Sequence, residues 1–225
     1  MVPRLGEDQA KRERLHKESL SINLLDAASK GDIKVVARLL KMGADPNVEV
    51  QLDDTLSPLA RAARNRHLDV VKMLIANGAR VDEELGYTMG HGWFDHSTAL
   101  IWACRSDSLG IVKTLIASRA NPNAQEIYYP NGNEGQFFKG ATPLVACESL
   151  ELLKVLLKAG AKPNECASDG LTPLMKFSAM GKIEEVTLLI KSGADPALKD
   201  KDGKTARDIA QSLGHTEIVR LLKSE

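Results

Sequence analysis

A five-residue segment, Gly43-Ala44-Asp45-Pro46-Asn47, keeps returning along the chain, as GARVD at 78–82, RANPN at 119–123, GAKPN at 160–164 and GADPA at 193–197. A repeat with a period of roughly 20 to 50 residues restricts a chain to solenoids, propellers or arrays, because one such unit cannot bury its own apolar surface and must stack on its neighbours. A second landmark precedes each copy: SPLARAA (57–63), TALIWAC (98–104), TPLVAC (142–147), TPLMKFS (172–178), TARDIAQ (205–211) and a weaker INLLDAA (22–28). Between the two landmarks lie stretches such as DIKVVARLLKM, LDVVKMLIAN, LGIVKTLIAS, LELLKVLLKA and IEEVTLLIKS, whose apolar residues recur at helical spacing along one stripe.

The landmarks have local physical meanings. In T/S-P-L the hydroxyl can accept from the first free N–H groups of a helix, and proline at the first helical position loses no bond there. Glycine in the Gly-Ala pair tolerates the left-handed conformation that closes a helix. Each helix is about 8 to 10 residues, too short to be stable alone, so the units must stack.

This pattern resembles the ankyrin repeat, a helix-turn-helix unit of about 33 residues joined to the next by a projecting finger. The resemblance covers about 22–225 and implies an all-α solenoid of six units starting near 22, 57, 98, 142, 172 and 205. It makes 21–225 a single domain preceded by a charged stretch, 1–20, that is a capping helix, a frayed tail or a binding arm. Ile22-Asn23 replaces T-P in the first unit, and the last unit carries polar Lys204, Arg207 and Asp208 and stops after its second helix, which reads as a complete array. The histidine usual after T-P-L is missing from every unit, replaced by Leu25, Ala60, Ile101, Val145, Met175 and Asp208, so hydrogen bonding between units must follow other routes.

The steps between units are 35, 41, 44, 30 and 33 residues. The extra residues fall in two fingers, 83–96 and 124–141, and the deletion falls in the first helix of repeat 4. Seven of the nine aromatic residues, Tyr87, Trp93, Phe94, Tyr128, Tyr129, Phe137 and Phe138, lie in those fingers, whereas the repeat core is aliphatic. Aromatic anchors are enriched at the centres of protein interfaces, which points to a partner-facing role. In the second finger, Ile127-Tyr128-Tyr129 and Gln136-Phe137-Phe138 flank the turn-rich 130–135, a β-hairpin pattern. The other reading, not exclusive of the first, is that the two insertions fold on each other and cover the shortened repeat 4.

The resemblance further implies binding by the concave face, at Ser29, Lys30, Arg64, Asn65, Arg105, Ser106, Ala179 and Met180. Arg61 and Trp102 stand one helical turn inward, and with Arg64, Arg66 and Arg105 they make a basic and aromatic patch suited to carboxylate or phosphate. Internal pairing with Asp69, Asp107 or Glu148 is the alternative use of those arginines.

Composition narrows the function. With 30 Lys+Arg against 30 Asp+Glu, bulk electrostatics favours neither nucleic acid nor an anionic membrane. Three cysteines without a C-x-x-C pair do not make a disulfide framework, so a reducing compartment is expected: cytoplasm, nucleus or, for a secreted effector, host cytosol. No apolar stretch approaches a membrane span. No nucleotide, metalloprotease or serine-hydrolase motif occurs. Asp200 and Asp202 before Gly203 suggest a calcium loop, but Leu198 and Ile209 stand where ligands belong. His91, Asp95, His96 and Cys104 offer zinc-ligating groups at a spacing that matches no established site.

The sequence therefore predicts a non-enzymatic, monomeric protein-binding scaffold without metal or cofactor. Its partner-binding residues are the seven finger aromatics with Arg61, Arg64, Trp102 and Arg105. A purely structural adaptor, or a small-ligand or metal binder between the fingers and those arginines, is the alternative.

Overall fold

The computed structural model describes residues 5–48, 56–83, 85–89, 93–129 and 138–223, with side chains for 16–48, 56–83, 97–127 and 138–223. Twelve helices among these residues alternate as first and second members of six units: α1 (Leu5–Lys30), α2 (Ile33–Lys41), α3 (Pro58–Arg64), α4 (Leu68–Ala76), α5 (Ala99–Arg105), α6 (Leu109–Ala117), α7 (Pro143–Ala146), α8 (Leu150–Lys158), α9 (Pro173–Ala179), α10 (Ile183–Lys191), α11 (Ala206–Ser212) and α12 (Thr216–Leu221). The first helices stack on one another in chain order, and so do the second helices. One apolar cluster runs unbroken from Leu20 to Leu222, as a solenoid requires, since no unit has a core of its own.

The helix starts form as their residues dictate. Ser57, Thr98, Thr142 and Thr172 each accept the backbone N–H three residues on, at 3.1, 3.4, 3.3 and 3.2 Å. Thr205 adds a capping box with Asp208. Pro58, Pro143 and Pro173 sit in the first turn. At the other end, α1 is continuous from Leu5 to Lys30, so the charged N-terminal stretch joins the first repeat helix without a break.

Units are tied together by side-chain amides. Asn47 donates to Gly78 O (3.0 Å) and accepts from Arg80 N (2.7 Å). Asn123 does the same with Gly160 O (3.1 Å) and Lys162 N (2.7 Å), and Asn164 with Gly193 O (3.0 Å) and Asp195 N (2.8 Å). In the second unit Asp82 stands at this position and keeps only the acceptor half, taking Asn121 N at 2.8 Å.

The missing histidines are answered elsewhere. Nε2 of His67 lies 3.0 Å from Ser29 O, and Nε2 of His215 lies 3.0 Å from Ala179 O. Each ring rests over a glycine, Gly31 or Gly181, where a Cβ would collide with the imidazole. Where serine replaces this histidine, a left-handed Arg66 or Asp107 replaces the glycine. Arg66 Nε then reaches Ser108 Oγ (3.3 Å), and Ser149 Oγ donates to Asp107 Oδ1 (2.7 Å).

The fingers hold a four-stranded antiparallel sheet in the order β1 (Leu85–Met89), β2 (Trp93–Ser97), β3 (Ile127–Tyr129), β4 (Phe138–Lys139). The second finger is the expected hairpin, with Tyr128 opposite Phe138, although Gln136 and Phe137 lie outside the described residues. The first finger, expected only as a long loop, is a hairpin too, and β2 pairs with β3 so that the two fingers share one sheet. Neighbouring hairpins in successive fingers present unpaired backbone edges side by side, and joining them satisfies both.

Candidate functional site

The sheet is fixed to the solenoid through one carboxylate. Glu126 is fully buried at the start of β3, and its oxygens are all engaged. Oε1 takes Arg105 Nη1 at 2.6 Å and Ser97 Oγ at 3.0 Å; Oε2 takes Arg105 Nη2 at 2.8 Å and Ala141 N at 3.1 Å. Its backbone closes the same junction, donating to Ala141 O (3.1 Å) and accepting from Gly140 N (2.7 Å). The end of β2, the start of β3, the exit of β4 and the last turn of α5 thus meet at one bidentate ion pair. Burial of a charge is tolerable only with this kind of full pairing.

Arg105 is therefore an internal anchor as well as a surface group, its side chain 34% exposed. Its partner is Glu126, not Asp69, Asp107 or Glu148. Trp102 lies half-buried beside it, with the guanidinium carbons of Arg64 and Arg105 5.0 and 5.2 Å from the ring centroid, a double cation–π arrangement. Arg61 donates from Nε to Leu56 O at 3.1 Å. Other nominated concave positions also bind neighbouring units: Asn65 Nδ2 reaches Ser29 O at 2.8 Å, and Ser106 Oγ reaches Ala63 O at 3.2 Å.

The strand register aligns the finger aromatics in rows. Tyr87 faces Asp95, Asp95 faces Tyr128, and Tyr128 faces Phe138; in the next row Thr88 faces Phe94 and Phe94 faces Tyr129. Trp93 pairs with Met89. Phe138, at the end of the first row, is 46% exposed. Phe137 lies outside the described residues.

Behind β4 the solenoid is cut short. Helix α7 has four residues, and Cys147 after it is extended (φ −73°, ψ 151°). The last turn present in other first helices is absent here. Lys176 of α9 fills the deficit, its Nζ donating to Val145 O (2.8 Å) and Cys147 O (2.7 Å). Half-burial pushes the Lys176 ammonium below its usual range. Burial raises the thiol of Cys147 to about 12, against the opposing pull of Lys176, and raises that of Cys104 as well. These are protonated, unreactive thiols at neutral pH.

A trough of about 480 Å³ opens beside this truncation, between β4 and the two following fingers. Glu126 and Lys176 had escaped the sequence reading; an unrepeated carboxylate in an insertion and an unrepeated lysine in a helix carry no periodic signal. The available hint was Arg105 itself, a cation needing a partner from the nearest insertion. Among the described residues no three His, Cys, Asp or Glu gather as a metal site. His91 lies outside those residues, as do the side chains of Asp95 and His96. No described helix is long and apolar enough to cross a membrane.

Comparison with known proteins points the same way as the geometry. The sequence matches the family described as ankyrin repeats (3 copies) over residues 24–126 and 141–225. It is 32% identical over 165 residues to the putative ankyrin repeat protein FPV031 of Fowlpox virus (strain NVSL), covering 72% of this chain and 43% of that protein. It is 30% identical over 154 residues to the mitochondrial disaggregase of Bos taurus, covering 67% and 20%. The chain spans less than half the length of these curated relatives. Among solved structures it resembles a chain of the complex between the predatory endopeptidase Bd0816 of Bdellovibrio bacteriovorus and immunity protein Bd3460, with TM-score 0.70 and 28% identity, covering 88% of this chain and 95% of that one.

Proposed function

The chain belongs to the ankyrin-repeat family, and from that premise we propose that it is a non-enzymatic, monomeric scaffold that occludes one protein partner with its finger sheet and the adjoining inner helices. Ankyrin repeats are generally protein–protein interaction modules. The observation that carries the finer reading is the gathering of the aromatic insertions into one sheet, with one register row running from Tyr87 through Tyr128 to the exposed Phe138. A stiff solenoid orders few groups on binding.

The partner class we favour is an enzyme held inactive, an endopeptidase being the model. The similar solved chain covers nearly the whole of this one and comes from a complex of an endopeptidase with an immunity protein. The three cysteines are unpaired, which fits the reducing compartment proposed from the sequence, cytoplasmic or nuclear.

The test is affinity capture from the native lysate with the wild-type chain and with a variant carrying Ser at Trp93, Phe94, Tyr128, Tyr129, Phe137 and Phe138. A partner retained at one-to-one stoichiometry by the wild type, released by the folded variant and inhibited in its own activity assay is the expected outcome. Equal retention by both chains would refute the finger reading. A second reading, in which the insertions only cover repeat 4, is favoured by the Glu126 junction; under it the six substitutions lower the melting temperature clearly.

A further inference from the structure

We propose that the trough beside the truncated repeat 4 is the receptor for an acidic segment of the protein partner, one that inserts an apolar side chain between flanking carboxylates. The proposal rests on the protein-binding reading above and names the chemistry that reading leaves open.

The trough lies between β4, the start of the short α7 and the finger that leads into repeat 5. Ala141, Val145 and Leu171 contribute an apolar lining, and the exposed ring of Phe138 stands at its margin. Two exposed lysines, Lys139 on β4 and Lys201 on the finger before repeat 6, complete the rim. Backbone bonds fix both at their positions. Lys139 N and O engage Ser168 at 2.6 and 2.8 Å, and Lys201 N donates to Asp169 O at 2.8 Å.

The charge balance of this trough differs from that of the chain, which is neutral overall. Glu126 and Arg105, at its inner end, already neutralise each other. Neither Lys139 nor Lys201 forms an ion pair among the described residues. The remaining acid of the lining, Asp169, accepts from Leu171 N at Oδ1 (3.0 Å), a bond that leaves its charge in place, so two lysines stand against one acid. Two lysines without an ion pair beside an apolar lining favour an anionic chain with a hydrophobic side chain. Rim charges of this kind act on encounter rate and salt dependence. The trough adjoins the sheet at Phe138, so a partner on the Tyr87–Tyr128–Phe138 row borders it.

The experiment pans a phage-displayed library of random peptides against the folded wild-type chain and measures the winning synthetic peptides by fluorescence polarisation. Enriched peptides should be acidic and carry one large apolar residue. Their affinity should fall at least about tenfold in the double variant Lys139→Glu/Lys201→Glu, and should fall steeply between about 0.05 and 0.5 M salt. Both lysines are exposed, so the variant should keep its fold, and peptides with acids exchanged for lysine should regain binding to it. Enrichment of neutral or basic peptides, affinity insensitive to the charge reversal, or no enrichment at all would each overturn the proposal. Capture of a protein through the finger aromatics despite such a result would leave the broader protein-binding reading standing.

Discussion

Repeats 5 and 6 and the stretch from repeat 3 to repeat 4 solve the same problem by different means. In the regular part, polar backbone groups at helix ends are met by partners that the repeat itself supplies: His215 reaches Ala179 O, Asn164 bridges Gly193 O and Asp195 N, and Thr205 forms its capping box with Asp208. In the interrupted part, charged side chains arrive from other elements. Arg105 and Glu126 clasp the two insertions, and Lys176 takes over carbonyls that the missing turn of α7 leaves exposed. The irregularity is absorbed by charged groups that reach across elements, and the irregular region should therefore be the part most sensitive to single substitutions and to pH.

The largest effect should come from Arg105→Ala. It leaves the fully buried Glu126 carboxylate without its cation, a change that costs about 3 to 5 kcal/mol when a buried pair is broken from one side. Urea denaturation should show that loss, and hydrogen exchange should show the amides of β2 and β3 opening first. A loss below about 1 kcal/mol would mean that the sheet is held mainly by its backbone ladder and that the contrast with the regular repeats is wrong.

Next in size is Lys176→Met, which keeps the aliphatic stem but removes both donors from Val145 O and Cys147 O. Two carbonyls losing a charged donor should cost about 2 to 3 kcal/mol. The control from the regular region, Asn164→Ala, removes a neutral bridge and should cost about 1 kcal/mol. Equal losses for the two variants would erase the distinction between the regions.

The recurring features were legible in the sequence because their physics repeats. The Ser and Thr helix starts became the caps at Ser57, Thr98, Thr142 and Thr172, and the break in the period at repeat 4 became the short α7. The hairpin in the second finger was visible in its alternation around a turn. What escaped was unique: the pairing of β2 with β3, the Glu126 junction and the reach of Lys176. Each joins residues far apart in sequence once only, so no period marks it, and the Arg105 carboxylate partner lies in an insertion and not among Asp69, Asp107 and Glu148.

The interrupted region should also respond to alkali. The Cys147 thiol ordinarily titrates near 9.0 and is pushed to about 12 in the folded chain. Between those values unfolding releases a proton, so stability present below pH 9 is lost as pH rises, by up to about 1.4 kcal/mol per pH unit for each such thiol. The buried Cys104 thiol, raised likewise, adds to the slope. Lys176 opposes it: its lowered value makes unfolding take up a proton below 10.5, so its contribution to stability rises with pH. Comparing wild type with Cys147→Ala in urea melts at pH 8, 9 and 10 isolates one thiol. The variant should show a shallower alkaline decline, and identical slopes would refute a buried thiol at this place.

The smallest expected effect tests whether the contrast extends to backbone strain. At the end of the second helix most other units place glycine in the left-handed region, as Gly160 (φ 91°) and Gly193 (φ 89°), whereas repeat 3 has Arg119 at φ 68°. A Cβ built at Gly160 or Gly193 meets nothing within 4 Å, so conformation and not crowding is what favours glycine there. An L-residue in this region is strained by about 1 kcal/mol, while glycine gives the unfolded chain about 0.5 kcal/mol more entropy to lose. Arg119→Gly should thus stabilise by about 0.5 kcal/mol and Gly160→Arg should destabilise by a similar amount, both read as shifts of the urea midpoint at constant slope. Loss of stability in Arg119→Gly would show that the Arg119 side chain makes a contact outweighing its strain, and would add repeat 3's second helix to the elements held by charge.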